Sequence, residues 1–214
     1  MEFLDEELQR YAEDHTSAES ELLHKVNRQT HLQVLKPRML SGHLQGRLLA
    51  MFSQMIRPKQ ILEVGTYTGY SALCLAEGLQ PGGTLHTIDK NEELEDRVLG
   101  YFKEAGLEDS IKLHIGNALK IIPSLDTAFD LVFLDADKIN YANYYDLVFD
   151  KVAPGGYIIA DNVLWSGKVL EKYRKKLDED TAAVIAFNKK IHDDTRVENI
   201  LLPVRDGLLV ARKL

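Results

Sequence analysis

The sequence predicts an α/β fold: a doubly wound, seven-stranded, mostly parallel sheet with a C-terminal antiparallel hairpin and extra helices at the N-terminus. Three observations support this. From Ile61 onward, short apolar runs alternate with longer amphipathic ones, as in repeated strand-helix units. Parallel strands need crossovers of helical length between them, and the intervening segments have helical spacing or helix-forming composition. The last two apolar runs are the exception, since only Pro203 to Gly207 separates them.

Taken in order, residues 1–56 read as helices outside the sheet. Leu22, Leu23, Val26 and Thr30 share one helical face, a stripe that suits packing, a lid over a site or a dimer surface. Residues 57–214 form the α/β core of what reads as a single domain over 1–214. Its strands are expected at 60–64, 84–88, 111–115, 129–134, 156–160, 199–202 and 208–212. Helices are expected at 70–79, 92–105, 118–124, 141–152 and 179–193. The final pair of strands lies too close for a parallel crossover, and Asp206-Gly207 supplies residues that tolerate positive φ, so a hairpin is predicted there.

Composition narrows the function. Hydrophobic residues make up 45% and charged residues 28%, near globular averages, which excludes disordered and coiled-coil classes. A formal charge of -7 argues against nucleic acid as a main partner, because phosphate binding relies on clustered Lys and Arg. The run from Lys172 to Lys176 is followed at once by acids and reads as a solvated loop or helix start. The single cysteine, Cys74, gives no sign of an oxidising compartment. Residues 1–10 lack the apolar segment of a secretory signal, and no run is long enough to span a bilayer. A cytoplasmic protein without a membrane partner is expected.

Four constellations could carry chemistry. The junction Glu63-Val64-Gly65-Thr66-Tyr67-Thr68-Gly69-Tyr70-Ser71 places two glycines at the carboxyl end of the first strand, where open α/β sheets bind ligands. It is neither G-x-G-x-x-G nor a P-loop, which disfavours a dinucleotide pyrophosphate or an ATP phosphate. Asp89, at the tip of the second strand, can accept both hydroxyls of a ribose, or serve as a solvated cap. With Glu63 it makes the loop acidic, which suits an ammonium or sulfonium better than a phosphate. Asp135 and Asp161 end two neighbouring apolar strands, with Asn162 next in the chain. Their oxygens form a hard-cation set, suited to Mg²⁺, Mn²⁺ or Ca²⁺ rather than Zn²⁺, unless the acids merely cap their strands. Lys138, three residues past Asp135, is a general-base candidate, or a surface Lys paired with Asp137. His86, His114 and His192 could be catalytic, but His86 and His114 lie inside apolar strand patterns without a positioned Ser or Cys partner and read as structural, as does Cys74 on the apolar first helix.

Three of these stretches, 63–71, 133–141 and 161–167, closely resemble the cation-dependent class I O-methyltransferases, the caffeoyl-CoA and catechol O-methyltransferase group. The resemblance runs from about Met39 to Gly207 and keeps the motifs in family order. It implies a Rossmann-like methyltransferase fold and S-adenosylmethionine as cofactor, contacted by Met39, Ser41, Glu63, Gly65, Tyr67 and Ser71, with Asp89 on the ribose and Ala118 near the adenine. It further implies Asp135, Asp161 and Asn162 as ligands of a divalent cation, most simply Mg²⁺. Asp135 also borders the cofactor and the reacting groups, and Lys138 is the base. Trp165 and Ser166 fall at substrate-contacting positions. Trp165 is closer to the caffeoyl-CoA branch and its bacterial relatives than to the animal catechol enzyme, whereas Ser166 stands where plant enzymes usually carry Asn.

The expected activity is therefore methyl transfer to an aromatic vicinal diol, such as a catechol, a hydroxycinnamate or its CoA ester, or a flavonoid, by a cytoplasmic homodimer. The rivals are an NAD-linked reductase, which Asp89 would suit but the glycine spacing does not, and a non-catalytic cofactor-binding module.

Overall fold

The computed structural model describes residues 5–172 and 177–214, so most of the basic run, residues 173–176, lies outside the described residues. Strands β1 (Gln60–Val64), β2 (Thr84–Asp89), β3 (Ile111–Ile115), β4 (Phe129–Leu134), β5 (Val152–Asp161), β6 (Val197–Leu202) and β7 (Leu208–Lys213) form one sheet in the order β3-β2-β1-β4-β5-β7-β6. The first five pair in parallel, while β7 runs antiparallel to both β5 and β6. The chain winds outward from β1 in one direction and from β4 in the other, so the switch point where such sheets bind ligands lies between these two strands.

Helices α1 (Glu6–Asp14), α2 (Glu21–Gln33) and α3 (Gly42–Ile56) precede the sheet, and α4 (Tyr70–Ala76), α5 (Glu95–Glu104), α6 (Ala118–Ser124), α7 (Tyr141–Phe149) and α8 (Glu179–Asp193) connect its strands. Period-two alternation sorts the strand residues between two apolar layers. Leu62, Val64, Val132, Leu134 and Ile158 meet Tyr141 and Tyr145 of α7 and Phe187 of α8. Ile61, Leu131, Phe133 and Ile159 share the opposite layer with Val26 of α2, Leu49 of α3, Leu73 of α4 and Phe102 of α5. Each fully buried side chain of this size contributes about 1.5–3 kcal/mol, so both layers hold the strand ends rigidly.

The N-terminal stripe packs inward. Ser20 caps α2 by accepting from the Leu23 amide, Leu23, Val26 and Thr30 are buried, and α2 lies against α4 and α5. Helix α3 lies along α4 at very short range, because Gly78 faces the backbone of Ser53 and Gly46 faces the ring of Tyr70 and the sulfur of Cys74. Among the described residues, no helix is long and apolar enough to cross a membrane.

The element bounds differ from the sequence expectation where backbones meet closely. Helix α4 stops at Ala76 rather than 79, since Gly78 must press against α3. Helix α7 stops at Phe149 because Val152 already pairs with Phe129, and β5 begins there, with a register shift between Phe129 and Leu131 accommodating the Pro154-Gly155-Gly156 stretch. The first turn of the segment expected helical over 92–105 is a 3-10 turn, Glu92–Leu94, closed by the Asn91 side chain.

A Cβ at position 78 would overlap the Ser53 carbonyl group. Gly78→Ala is therefore expected to cost about 1–3 kcal/mol and to lower the thermal midpoint by several degrees, read by differential scanning calorimetry; an unchanged midpoint would contradict this packing.

Candidate active site

The register of the sheet builds the site. Val64 is level with Ile88 and with Leu134, and Leu134 is level with Ala160. The next residue of each strand, Gly65, Asp89, Asp135 and Asp161, therefore falls in one row at the carboxyl rim. Backbone bonds carry the ladder that far: the Gly65 amide donates to the Ile88 carbonyl at 2.9 Å and the Asp135 amide to the Val64 carbonyl at 2.8 Å. Gly65 has φ 106°, and a Cβ there would overlap the Asp135 carbonyl, so the two loops touch only because position 65 has no side chain.

On the β1 side, Tyr67 adopts φ 48° and its amide donates to Asp89 Oδ2 at 2.7 Å, while the Asn91 amide donates to Oδ1 at 2.9 Å. The glycine loop and the acid of β2 are thus joined, as their pairing in the sequence suggested. The Tyr67 hydroxyl reaches the carbonyls of Leu35 and Lys36, which ties the loop to the segment carrying Met39 and Ser41. Met39 is exposed and Ser41 is buried at the start of α3. Ala118 is buried in the first turn of α6, beyond the end of β3 and capped by Asn117.

Glu63, the penultimate residue of β1, is fully buried just before this loop. Thr87 donates to its Oε2 and in turn shares a hydrogen bond with Thr66, whereas Glu63 Oε1 has no partner among the described residues. Burial pushes the Glu63 carboxyl from its ordinary 4.5 up to about 8, the Ser71 and Thr87 hydroxyls opposing the shift and the charges of Asp135 and Asp89 adding to it. A buried carboxyl approached only by hydroxyls, beside a loop open to close backbone approach, fits the ammonium of an amino-acid-like ligand.

On the β4–β5 side, Asp161 is 3% exposed. Its Oδ2 accepts from Gln45 Nε2 and its Oδ1 from the Asn162 amide, both at 2.6 Å. Burial first, and then the charge of Asp135, raise its carboxyl pKa. Asn162 takes φ 58°, turning the chain sharply after the strand. Lys138 is also buried, with Nζ 3.4 Å from Asp135 Oδ1 and 3.4 Å from the Asp161 carbonyl, and it donates to the Tyr141 hydroxyl. It pairs with Asp135 and not with Asp137, which instead accepts from Tyr144 at 2.6 Å. The Trp165 ring lies 5.9 Å from Lys138 Nζ, and the exposed Ser166 amide is held by Asp206.

Two carboxylates with an amide beside them and a lysine among them are a donor set that could hold a hard divalent cation. Among the described residues no group of three or more His, Cys, Asp or Glu side chains is close enough to share an ion; the set at issue depends on an Asn as its third member. His86 and His114 face each other across β2 and β3 at 3.0 Å, and burial lowers both pKa values. Burial pushes the Cys74 thiol up to about 12, which keeps it inert. Gln45, Tyr141 and Arg205 touch this site but were not singled out as site residues in the sequence. For Gln45 the available signal was a polar residue on the buried stripe of α3, in line with Leu49 and Ser53.

Comparison with known proteins identifies the family and the fold. A family model described as O-methyltransferase matches residues 13–214. A caffeoyl-CoA O-methyltransferase of Medicago sativa is 34% identical over 180 residues, covering 79% of this chain and 73% of its own length. Two solved structures share the fold closely. The SAH-bound methyltransferase PaMTH1 of Podospora anserina has a TM-score of 0.89 at 28% identity, with 99% of this chain and 97% of that chain covered. The O-methyltransferase TomG of Streptomyces achromogenes, in complex with SAM, has a TM-score of 0.87 at 29% identity, with 97% and 96% covered.

Because the folded state raises the Glu63 pKa, the native protein holds a proton that the unfolded chain releases between about pH 4.5 and 8, so this group's contribution to stability is lost as pH rises through that window. Glu63→Gln should therefore gain thermal stability over the parent progressively from pH 4.5 to 8 when melting is followed across that range; parallel curves would show that the carboxyl is not held protonated.

Proposed function

Since the chain belongs to the O-methyltransferase family, we propose that it moves the methyl group of S-adenosylmethionine to one hydroxyl of an aromatic vicinal diol, with a divalent cation, most simply Mg²⁺, assisting. The observation that supports this most directly is the row of Gly65, Asp89, Asp135 and Asp161 with Lys138 buried among the acids. An acidic rim repels phosphate-rich ligands and favours a sulfonium, an ammonium and a metal ion.

In this reading Glu63 and Ser71 receive the amino-acid end of the cofactor, Asp89 accepts from its ribose hydroxyls, Ala118 lies by the adenine, and Gly65, Tyr67, Met39 and Ser41 enclose it. Asp135, Asp161 and Asn162 would hold the cation. When bound, the cofactor supplies an electrophilic methyl and the cation acidifies the acceptor hydroxyl. The residues of the chain do the rest. Only as the neutral amine, after its own proton has left to solvent, can Lys138 take the hydroxyl proton at Nζ, and its contacts with Asp135, Tyr141 and the Asp161 carbonyl fix where that nitrogen lies. Trp165, over the same lysine, and Ser166 form the wall against which an aromatic ring would rest. Positioning supplies much of the rate in such a transfer, since both reactants are held in line before the bond forms. The residues 1–56 would complete the site from the cofactor side or pair two copies.

Neither the family match nor the β1–α4 loop supports an NAD-linked reductase. The loop reads G-T-Y-T-G, without the three glycines of a dinucleotide turn.

A screen of methyl transfer to catechols, hydroxycinnamates, their CoA esters and flavonoids, with and without EDTA, is expected to find at least one diol acceptor whose turnover the chelator abolishes; turnover indifferent to EDTA would remove the cation from the reaction. Lys138→Met should lower kcat by about 10²–10⁴-fold with little change in the acceptor KM, and steady-state kinetics that show equal rates would remove Lys138 as the base.

A further inference from the structure

Gln45 is 1% exposed, and its carboxamide joins two groups that are distant in the sequence. Nε2 donates to Asp161 Oδ2 at 2.6 Å, and Oε1 accepts from Arg205 Nη1 at 3.3 Å. This orientation is fixed by chemistry: a guanidinium can only donate, so the Gln45 carboxamide oxygen must face Arg205, which leaves its nitrogen to donate to Asp161. Arg205 sits on the turn between β6 and β7 with φ 49°, and it also donates to the carbonyls of Leu40 and Ser41. The same turn grips the other side of the site. The Leu164 amide donates to the Asp206 carbonyl at 2.8 Å, the Val163 amide to the Gly207 carbonyl at 3.2 Å, and the Ser166 amide to the Asp206 side chain.

We infer that Gln45, oriented by Arg205, is the positioning residue that sets the Asp161 carboxylate for the cation. The inference rests on the reading of Asp135, Asp161 and Asn162 as cation ligands. With Gln45 on one oxygen and the Asn162 amide on the other, both oxygens of Asp161 are already held, and each keeps a lone-pair direction free for a ligand. A neutral amide suits this position. It fixes the carboxylate without cancelling the charge that attracts the cation, whereas a lysine or arginine in its place would neutralise it. Arg205 acts at one remove, by holding the Gln45 oxygen and the chain at residues 40–41.

The test is titration of Mn²⁺ into the parent protein, Gln45→Leu, Arg205→Met and the double variant, by isothermal calorimetry, with S-adenosylhomocysteine binding measured on the same samples. Gln45→Leu should weaken Mn²⁺ binding about 10–100-fold while cofactor-product affinity stays within about threefold, a split that general loss of structure would not produce. Arg205→Met should weaken Mn²⁺ by a smaller factor, and the double variant should bind Mn²⁺ no more weakly than Gln45→Leu, because Arg205 acts through Gln45. Arg205 lies on an exposed turn, so its variant decides the matter even if Gln45→Leu fails to fold: parental Mn²⁺ affinity in Arg205→Met would then overturn the inference. Parental Mn²⁺ affinity in Gln45→Leu, or losses that simply add in the double variant, would also overturn it. Absence of Mn²⁺ binding by the parent would overturn the cation reading and this inference with it, an outcome distinct from equal binding by parent and variants.

Discussion

Four parallel strands that end level with one another set everything at this site. Because Val64, Ile88, Leu134 and Ala160 share a register, the residues that follow them meet along one rim. Three of those four are aspartates, and Glu63 lies just behind them. Gathering carboxylates at a desolvated edge costs free energy, which shows in the raised pKa of both Glu63 and Asp161. Among the described residues, the ammonium seen against this cluster is that of Lys138, and it is shared between Asp135 and the Asp161 carbonyl. The rim therefore carries a surplus of negative charge that a cationic ligand or a metal ion would relieve.

The fold sustains that unfavourable cluster because the apolar layers on both faces leave the strand ends little freedom. The connection at Gly65 brings the β1 and β4 loops into backbone contact, and the close approach of α3 to α4 carries Gln45 over the rim. The turn between β6 and β7 then fastens the segment 40–45 to the loop that follows Asp161. The β1–β2 side and the β4–β5 side of the rim are thus linked by one short piece of chain. This accounts for how residues from opposite ends of a 214-residue sequence come to form one site.

Much of this was legible in the sequence, and the reasons for the remainder are physical. Strands β1, β3 and β4 and helices α6 and α8 fall where apolar spacing and composition place them, since local periodicity sets each, and Asn117 and Asp178 cap the two helices. The hairpin was legible because five residues cannot make a parallel crossover. The start of β5 was not: Pro154-Gly155-Gly156 reads as a turn, and only pairing of Val152 with Phe129 makes the stretch a strand. The acids at strand ends could be expected to converge once a parallel sheet was assumed, because a row of strand ends follows from topology. Gln45 and Arg205 could not, since their contacts span 116 and 160 residues and depend on how α3 and the final turn settle on the sheet.

The account stands on the claim that the rim formed by Asp135, Asp161 and Asn162 is a cation site adjoining the Gly65 loop. Anomalous diffraction from crystals grown with S-adenosylhomocysteine and soaked in MnCl₂ tests it most directly. One strong peak within coordinating distance of all three side chains, beside a product molecule lodged against Gly65 and Asp89, is the expected result. A map with the metal bound elsewhere, or with the three side chains turned to separate partners and no peak between them, would contradict it.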